Sequence, residues 1–514
     1  MAKRSKKKKA LDNNIPSPAP SFQIPFLNVW VSLLLAVVTF LIYWPSLKSD
    51  LVYDAHIEII REGFVTSLSN LPAVLTLKVL GMKLMLGARP GQLLYLMLIA
   101  AVSGKHALGY HLCSNLLHAA NVALMYVVLN RLIATEMAGL YKSHTLKIQL
   151  ALAAVTLLFA LHPIAVESVS EVSYSSSLLV TLFTLLALLA AMAFRPENFR
   201  MTMIMGGVGT VCVFASVTCK ESGIATPFLL GVYWFLFRRQ EAKLPWFLFL
   251  GVAMMVTAAF LAARFSMAPS GGDPLGYLGG SFSNVFLIQP CLWVFMMGQL
   301  LWPVHLSADY AQEDMKGLST LFSLIILTVV FSLQGWLSWK SRLGALGVAV
   351  YWLGLATVSN LVPLYCPVAD RFYYLPMVGV AMQLLALFLM TLNSRWGYWM
   401  GVAPLLGVIL PLIFLTLTRE AVFANEFSLW TDTVQVSPFS PIAHYNLGNT
   451  LDKQGKLDEA IAEYRKALKI NPDYAEAHNN LGYVLMTKGE VEKGMKEFQE
   501  VERLRPDLAR QLPK

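Results

Sequence analysis

Ionisable side chains gather in the links between long apolar segments of this chain, where a charge is costly and usually has a function. The first link carries Asp54 and Arg89. Later links carry His162 and Glu167, Lys220 and Glu221, Asp309 and Tyr310, and Asp370 and Arg371. Such carboxylates can act as general bases, and the cations can bind phosphate. The links therefore predict polar chemistry at one face of the apolar segments.

Arg371 stands in the run Val368 to Pro376, where aromatic residues follow it. A guanidinium at a water–lipid boundary suits a phosphate headgroup, because it can form two parallel hydrogen bonds with one. An anchor at the membrane interface is the alternative interpretation. The neighbours Lys220 and Glu221 fit equally well a site or a plain ion pair.

A polar stripe runs along the second apolar segment, where His111, Asn115 and His118 recur at positions i, i+4 and i+7, with Asn121 close by. This spacing puts the side chains on one face of a helix. Hydrogen bonding between helices is the favoured interpretation, and a functional role is the alternative.

The composition indicates that lipid is the solvent for most of the chain. Hydrophobic residues make up 56% and charged residues 14% of the 514 residues, and the mean hydropathy is +0.57. Soluble domains carry about 25% charged residues. The N-terminal basic run (Lys3, Arg4, Lys6, Lys7, Lys8 and Lys9) precedes a membrane segment. It predicts a cytoplasmic tail that touches anionic lipid, and no nucleic-acid partner is expected.

Segments long enough to span a bilayer lie at 26–46, 108–133, 148–165, 176–194, 201–217, 222–237, 245–265, 318–337, 343–362, 374–392 and 397–417. A further segment, 284–302, is interrupted by Pro290. All links rich in Lys and Arg fall on the cytoplasmic side only if 284–302 lies along the outer surface. We therefore predict eleven crossings, with the polar links and the C-terminal region outside the cytoplasm.

The C-terminal region is repetitive, since residues recur with an offset of 34, including Asn446 and Asn480, Gly448 and Gly482, and Tyr464 and Phe498. This period and pattern are those of a tetratricopeptide repeat, whose function is to dock peptide or protein. A stabilising cap without a ligand is the alternative.

The predicted fold class is thus all-α, a polytopic membrane bundle of about 11 helices followed by an α-solenoid. Four parts are expected. They are a basic cytoplasmic tail and linker at 1–25, a multispanning domain at 26–417, a connecting helix with a degenerate half repeat at 418–440, and two tetratricopeptide repeats at 441–508.

The ordered motifs after residue 45 resemble one family: the multispanning proteins with C-terminal tetratricopeptide repeats that include the transmembrane O-mannosyltransferases targeting cadherins. The likeness rests on Val52-Tyr53-Asp54, Arg89-Pro90, Gly109-Tyr110-His111-Leu112, Leu161-His162-Pro163 with Glu167, Lys220-Glu221, Leu306 to Tyr310, and Asp370 to Pro376. It implies the GT-C architecture, in which a bundle transfers sugar from a polyprenyl-phosphate donor. It also implies that an acid in the first outer loop is catalytic, and Asp54 matches that position.

The resemblance leads to the following roles. Asp54 is the expected general base, and Arg371, Lys220 and Arg89 are expected to bind the donor phosphate. Supporting or substrate-binding positions are Tyr53, His56, His111, His162, Glu167, Glu221, Asp309, Tyr310 and Asp370. Glu167, Glu221 and Asp370 are expected to orient the cations.

Two departures from the family pattern bear on activity. Ala55-His56 stands where a second acid is usual, and the stretch Ser170 to Ser177 lacks the usual Trp and Gly-Arg-x-Asp run. The donor sugar and a divalent metal requirement are therefore left open.

The sequence predicts a glycosyltransferase that acts on a protein hydroxyl outside the cytoplasm, in a bacterial inner membrane with the repeats in the periplasm. A non-catalytic membrane scaffold, or the same chemistry with a lipid or polysaccharide acceptor, is the alternative.

Overall fold

The computed structural model describes residues 26–84, 89–267, 280–311, 318–362, 364 and 366–506. In these ranges the regular structure is helical throughout, which confirms the predicted all-α class. The basic tail at 1–25 and the last residues of the second repeat, 507–508, lie outside the described residues.

The membrane domain contains thirteen longer helices among the described residues. They are α1 (Phe26–Ile42), α2 (Pro90–Ser103), α3 (Ala107–Glu136), α4 (Thr145–Ala160), α5 (Ser175–Ala193), α6 (Phe199–Cys219), α7 (Ala225–Tyr233), α8 (Lys243–Met267), α9 (Phe282–Leu301), α10 (Thr320–Lys340), α11 (Arg342–Ala356), α12 (Tyr374–Met390) and α13 (Arg395–Val422). Short helical turns join them at Trp44–Lys48, Tyr53–Ala55, His56–Glu62, Leu68–Asn70, Leu71–Leu75, Lys78–Gly81, Ala138–Ser143, Pro163–Ala165, Val166–Ser170, Val172–Tyr174, Glu221–Ile224, Trp234–Arg238 and Asp370–Tyr373.

The two ends of this bundle can be told apart by the links between helices that lie there. At one end α4 and α13 begin and α12 stops, and Lys147 ties them together. Its Nζ donates to the Leu392 carbonyl at 2.9 Å, and its own carbonyl accepts the Tyr398 hydroxyl at 2.6 Å. We call this the opposite end. The other end carries the links with Asp54 and Arg371, and we call it the site end.

Among the described residues, eight helices are long and apolar enough to cross a membrane, or ten if two bent helix pairs each count as one span. The chain is therefore a multispanning membrane protein, but the predicted count of eleven is not confirmed. The predicted span 222–237 contains α7 and the π-helical turn Trp234–Arg238, and a turn at Glu221–Ile224 delays the start of the helix to Ala225. An apolar run shows how many residues could cross but not where the helix breaks.

The predicted surface segment 284–302 forms the 20-residue α9, whose length and composition also permit a crossing. Contacts near both of its ends nevertheless lie at the site end. Near its start, the Leu287 carbonyl accepts the Thr320 hydroxyl at 3.0 Å, and at its end the Leu300 carbonyl contacts His162 Nε2 at 2.9 Å. These contacts favour the predicted position along the face of the bundle.

The polar stripe on α3 holds helices together, as the favoured interpretation predicted. Asn115 Nδ2 donates to the Tyr43 carbonyl at 2.8 Å. His118 Nδ1 and Asn121 Nδ2 meet the Tyr374 hydroxyl at 2.6 and 3.2 Å. All of these side chains are buried. Since buried polar groups must be hydrogen-bonded, the stripe fixes α3 against α1 and α12.

Up to residue 506, the repeat region comprises five further helices. They are α14 (Glu426–Val436), α15 (Pro441–Lys453), α16 (Leu457–Ile470), α17 (Ala475–Thr487) and α18 (Val491–Leu504). A Cβ at Gly448 would lie 2.7 Å from a Tyr464 ring carbon, and one at Gly482 would lie 2.6 Å from the ring of Phe498. The glycines therefore permit the close approach of paired helices, and the predicted repeat architecture is confirmed.

A candidate active site at one end of the bundle

The segment Tyr53–Glu62 presents different side chains on its two faces. Asp54 and Glu58, one helical turn apart, face the start of α5, where Asp54 Oδ2 accepts the Tyr174 hydroxyl at 2.6 Å and Glu58 Oε2 accepts the Ser173 hydroxyl at 2.9 Å. His56 and Ile60 instead line a cleft toward the repeats. Because residues two apart on a helix point in opposite directions, the segment separates two polar spaces.

Glu171 holds the start of this segment in place. Its Oε1 accepts the backbone N–H groups of Ala55 at 2.9 Å and Ser173 at 3.3 Å. Burial, with Asp54 nearby, raises the pKa of Glu171 well above its usual value, and the two N–H donors act in the opposite direction. The Glu171 carboxyl group therefore links the backbone next to Asp54 to the backbone next to Tyr174.

Asp54 is partly exposed. The short hydrogen bond from Tyr174 fixes one carboxylate oxygen and orients the other. A proton acceptor must lie within hydrogen-bond reach of the hydroxyl that it deprotonates. The position of Asp54 fits this role.

Arg371 lies on the other side of Tyr174, with its guanidinium carbon 3.9 Å from the ring centroid. Its Nη1 pairs with Glu167 Oε1, and its backbone N–H donates to Glu167 Oε2 at 2.6 Å. The side chains of Arg371 and Glu167 are 12% and 1% exposed. Asp54, Tyr174, Arg371 and Glu167 thus form one contiguous row, in which Glu167 pairs with the arginine.

Lys220 joins this row from the junction of α6 and α7. Its Nζ donates to the Ser177 hydroxyl at 2.8 Å and lies 5.5 Å from the centre of the Phe372 ring. Lys220 and Arg371 line the same narrow crevice. Burial, with Arg89 and Arg371 nearby, lowers the pKa of Lys220 to about 7. A bound anion would favour the charged ammonium form.

Arg89 pairs with Glu221, one of the acids expected to orient the cations. Its Nη2 pairs with Glu221 Oε2 at 3.0 Å, and Arg264 from α8 pairs with Oε1 at 2.5 Å. Burial alone would raise the pKa of Glu221, but the two arginines lower it to about 2. Glu221 is therefore ionised and holds two cations beside Lys220.

Asp370 differs from its prediction, because it pairs instead with Arg419 at 3.5 Å. The Tyr310 hydroxyl donates to Asp370 at 2.7 Å, and Arg419 also pairs with Asp432 at 3.1 Å. Arg419 lies on α13 and Asp432 on α14, so this network joins the site end to the repeats. The predicted site residue Asp309 has a related position, since its Oδ2 accepts the Ser440 hydroxyl at 2.5 Å.

None of the hydrogen bonds described for the three predicted histidines joins them to Asp54 or Arg371. His111 Nε2 contacts the Asp50 carbonyl at 3.2 Å, and buried His162 is hydrogen-bonded to Leu300, so both fill structural positions. His56 lines the cleft on the far side of the segment. Tyr53 packs edge-on against Trp430 of α14, with ring centres 4.9 Å apart.

Five residues of the site end had no assigned role at the sequence level: Tyr174, Glu58, Glu171, Arg264 and Arg419. Tyr174 and Glu171 lie in the stretch that departs from the family pattern, and that departure was the available signal. Arg264 and Arg419 lie inside apolar helices far along the chain, and their partners are set by packing.

Among the residues that the structure describes, no group of three or more His, Cys, Asp or Glu side chains could hold a metal ion.

The repeat region matches two family models: a TPR repeat at residues 448–489 and a tetratricopeptide repeat at residues 475–508. A protein O-mannosyl-transferase of Caenorhabditis elegans is 24% identical over 333 residues, which cover 61% of this chain and 45% of that protein. Mouse protein O-mannosyl-transferase TMTC4 is 25% identical over 527 residues, which cover 88% of this chain and 67% of that protein.

Human protein O-mannosyl-transferase TMTC1 is 31% identical over 204 residues, which cover 36% of this chain and 22% of that protein. The predicted resemblance is confirmed by these similarities. The matched regions span about half to two thirds of the first two relatives' lengths.

Proposed function

We propose that this chain is a membrane glycosyltransferase that moves a sugar from a polyprenyl-phosphate carrier to a protein hydroxyl. The observation that carries the proposal is the row of Asp54, Tyr174 and Arg371, with Lys220 in the adjoining crevice. A proton acceptor and two phosphate-binding cations lie within one site. The similarity to proteins named protein O-mannosyl-transferases supports a protein acceptor and suggests mannose as the sugar.

In the proposed reaction, Asp54 accepts the proton of the acceptor hydroxyl as its oxygen attacks the anomeric carbon. The bond from this carbon to the phosphate oxygen breaks, and its electron pair leaves with the lipid phosphate. One displacement inverts the anomeric centre. A positioned base contributes about 100- to 10,000-fold to such a step.

Arg371 and Lys220 stabilise the charge that develops on the leaving phosphate, and Arg89 adds to the positive field. Glu167 holds Arg371 through its backbone and side chain, so the guanidinium is oriented before the donor arrives. One preorganised donor of this kind is worth about 2.7–4 kcal/mol.

Glu58 bears on whether the chain is active. Ala55-His56 lacks the second acid of the family pattern, but Glu58 supplies a buried carboxyl one turn after Asp54 on the same face. This neighbour supports the enzyme over the alternative of a non-catalytic scaffold. A lipid or polysaccharide acceptor is less well supported, because the peptide-binding repeats adjoin the same end of the bundle.

We further propose that the site end faces the periplasm of a bacterial inner membrane, and that the N-terminus is cytoplasmic. Basic residues near the opposite end, such as Arg195, Arg238, Arg239 and Lys340, support this orientation, since Lys and Arg favour the cytoplasmic side. The backbone contact from Asp50 N to the Ala424 carbonyl at 3.0 Å keeps the start of the repeat region at the site end.

The test is transfer of labelled mannose from polyprenyl phosphate to a protein acceptor by the full chain in proteoliposomes. Asp54→Asn keeps an acceptor for the Tyr174 hydroxyl but removes the base, and should lower kcat by at least about 100-fold. Asp452→Asn, in α15, is the matched control and should match the unsubstituted chain. Full activity of Asp54→Asn would refute the role of Asp54, and no transfer by the unsubstituted chain would favour the scaffold.

A further inference from the structure

A cleft of about 570 Å³ separates the segment that carries Asp54 from the first helices of the repeats. One wall comes from the first link and the start of α3, and the other from the start of α14 and the end of α15. The lining residues are Asp50, Leu51, His56, Ile60, Lys105, Ala107, Asn425, Glu426, Phe427, Thr450, Lys453 and Gln454. This volume falls in the range of ligand-binding clefts, about 300–1,000 Å³.

Eight of the twelve lining residues are polar, and four are apolar. Ile60 and Phe427 contribute apolar surface, and the Phe427 side chain remains 38% exposed. Glu426 and Lys453 form an ion pair of 2.8 Å across α14 and α15, and Lys105 Nζ donates to the Ile60 carbonyl at 2.7 Å.

The charges of the lining balance one another. Asp50 and Glu426 supply two acids, and Lys105 and Lys453 supply two bases. A balanced lining offers little to a polyanion such as a nucleic acid or a phosphorylated lipid. It suits a peptide, because the polar lining can hydrogen-bond with uncharged backbone amides while Ile60 and Phe427 offer apolar side chains a surface to contact.

The cleft lies directly behind the proposed catalytic segment. His56 and Ile60 face it, and Asp54 and Glu58 face Tyr174 and Ser173 on the other side. A ligand in the cleft therefore contacts the element that holds Asp54 without occupying the reaction site.

We propose that this cleft binds a segment of the acceptor polypeptide in extended conformation, separate from the hydroxyl that reacts. The inference rests on the proposed function and names where its acceptor docks. The peptide must pass around a helix about 10 Å wide. At about 3.3 Å per extended residue, the docked segment and the modified Ser or Thr should be separated by about three to five residues.

The experiment compares two synthetic acceptors with the full chain in proteoliposomes. One is a 24-residue Ser/Thr peptide with apolar residues placed before the acceptor, and the other is a capped tripeptide. Gln454→Trp fills the exposed mouth of the cleft and should lower the ratio of kcat/KM for the long peptide to that for the tripeptide by about tenfold. Gln499→Trp, on the exposed face of α18, is the control and should leave the ratio unchanged.

An unchanged ratio in Gln454→Trp, or an equal fall in Gln499→Trp, would overturn the docking site. Moving the apolar residues along the long peptide should give a maximum of kcat/KM at a spacing of about three to five residues, and no dependence on spacing would also overturn it.

Failure of the proposed function gives a different result. In that case neither peptide is modified, and the binding of the fluorescein-labelled long peptide is measured by anisotropy instead. Weaker binding by Gln454→Trp than by Gln499→Trp then supports a peptide site in the cleft, and equal binding refutes it.

Discussion

Replacing Arg371 by lysine distinguishes a catalytic role of this residue from a role as an anchor at the membrane interface. The substitution keeps one positive charge but removes the planar group that stacks on Tyr174 at 3.9 Å. A lysine ammonium can pair with Glu167, but it cannot present parallel N–H groups to a phosphate. The two interpretations of Arg371 predict different losses of transferase activity.

The loss of stability should be small. Cation–π contact of a partly buried arginine is worth about 0.5–2 kcal/mol, and the charge that Glu167 requires is retained. The loss of activity should be larger. If Arg371 donates to the leaving phosphate, its replacement removes about 2.7–4 kcal/mol of transition-state stabilisation, which corresponds to about 100- to 1,000-fold in kcat.

Glu167→Gln is the contrasting variant, because it leaves the arginine in place without its counter-charge. Removing one partner of a buried ion pair costs about 3–5 kcal/mol. With side chains 12% and 1% exposed, this pair belongs to that class. Glu167→Gln should therefore unfold at a lower temperature than Arg371→Lys.

The assay combines steady-state mannose transfer with thermal unfolding of the same preparations in lipid. Arg239→Lys, near the opposite end of the bundle, is the control for the loss of a guanidinium. A kcat within threefold of the unsubstituted chain in Arg371→Lys, at normal donor KM, would refute the catalytic role and identify Arg371 as an anchor.

Two further outcomes are expected. Burial, with Arg89 and Arg371 nearby, lowers the pKa of Lys220 to about 7. The ammonium form is therefore lost as pH rises through this value, and the donor KM should rise about tenfold from pH 6 to 8. Lys220→Arg should flatten that profile, and an unchanged profile would contradict it. Gly448→Ala would put a Cβ 2.7 Å from the Tyr464 ring and should cost the repeats about 1–3 kcal/mol. Faster hydrogen exchange in α15 and α16 measures this loss, and Tyr464→Leu in the same chain should restore part of it.

The repeats could be predicted from sequence because their signal is local and periodic. An offset of 34 brings Gly448 and Tyr464 into register with Gly482 and Phe498, and each glycine lies against its aromatic ring as expected. The same local period carries a histidine–glutamate contact of 2.6 Å in both repeats, from His444 to Glu463 and from His478 to Glu497.

The pairings within the site could be predicted only in part. Glu167 and Glu221 were expected to hold cations, since the motifs bring acids and bases to the same links. Asp370 instead binds Arg419, which lies near the end of the apolar helix α13. No sequence pattern relates these two positions, because helix packing alone brings them together.

The number of spans could not be read from apolar length for a related reason. A hydropathy pattern records whether residues tolerate lipid, but not how a helix is placed. By this criterion α9 and α2 are alike, since both are apolar. Yet both ends of α2 lie at the site end. Gly91, near its start, lies against Cys219, and Ser103, at its end, lies against Gly109 of α3. Whether an apolar helix crosses or lies along the bundle is decided by its partners.

Tyr53 gives the repeats a part in shaping the site. Its φ of +53° is a left-handed conformation, which costs a residue with a Cβ about 1–2 kcal/mol. Such strain persists only where the surroundings impose it. The Tyr53 ring packs between Trp430 at 4.9 Å and Tyr174 at 6.3 Å. Trp430 belongs to the first helix of the repeat region, so that region helps to hold the turn from which Asp54 projects. Removing the repeat region should therefore disorder the site as well as the proposed peptide-binding cleft.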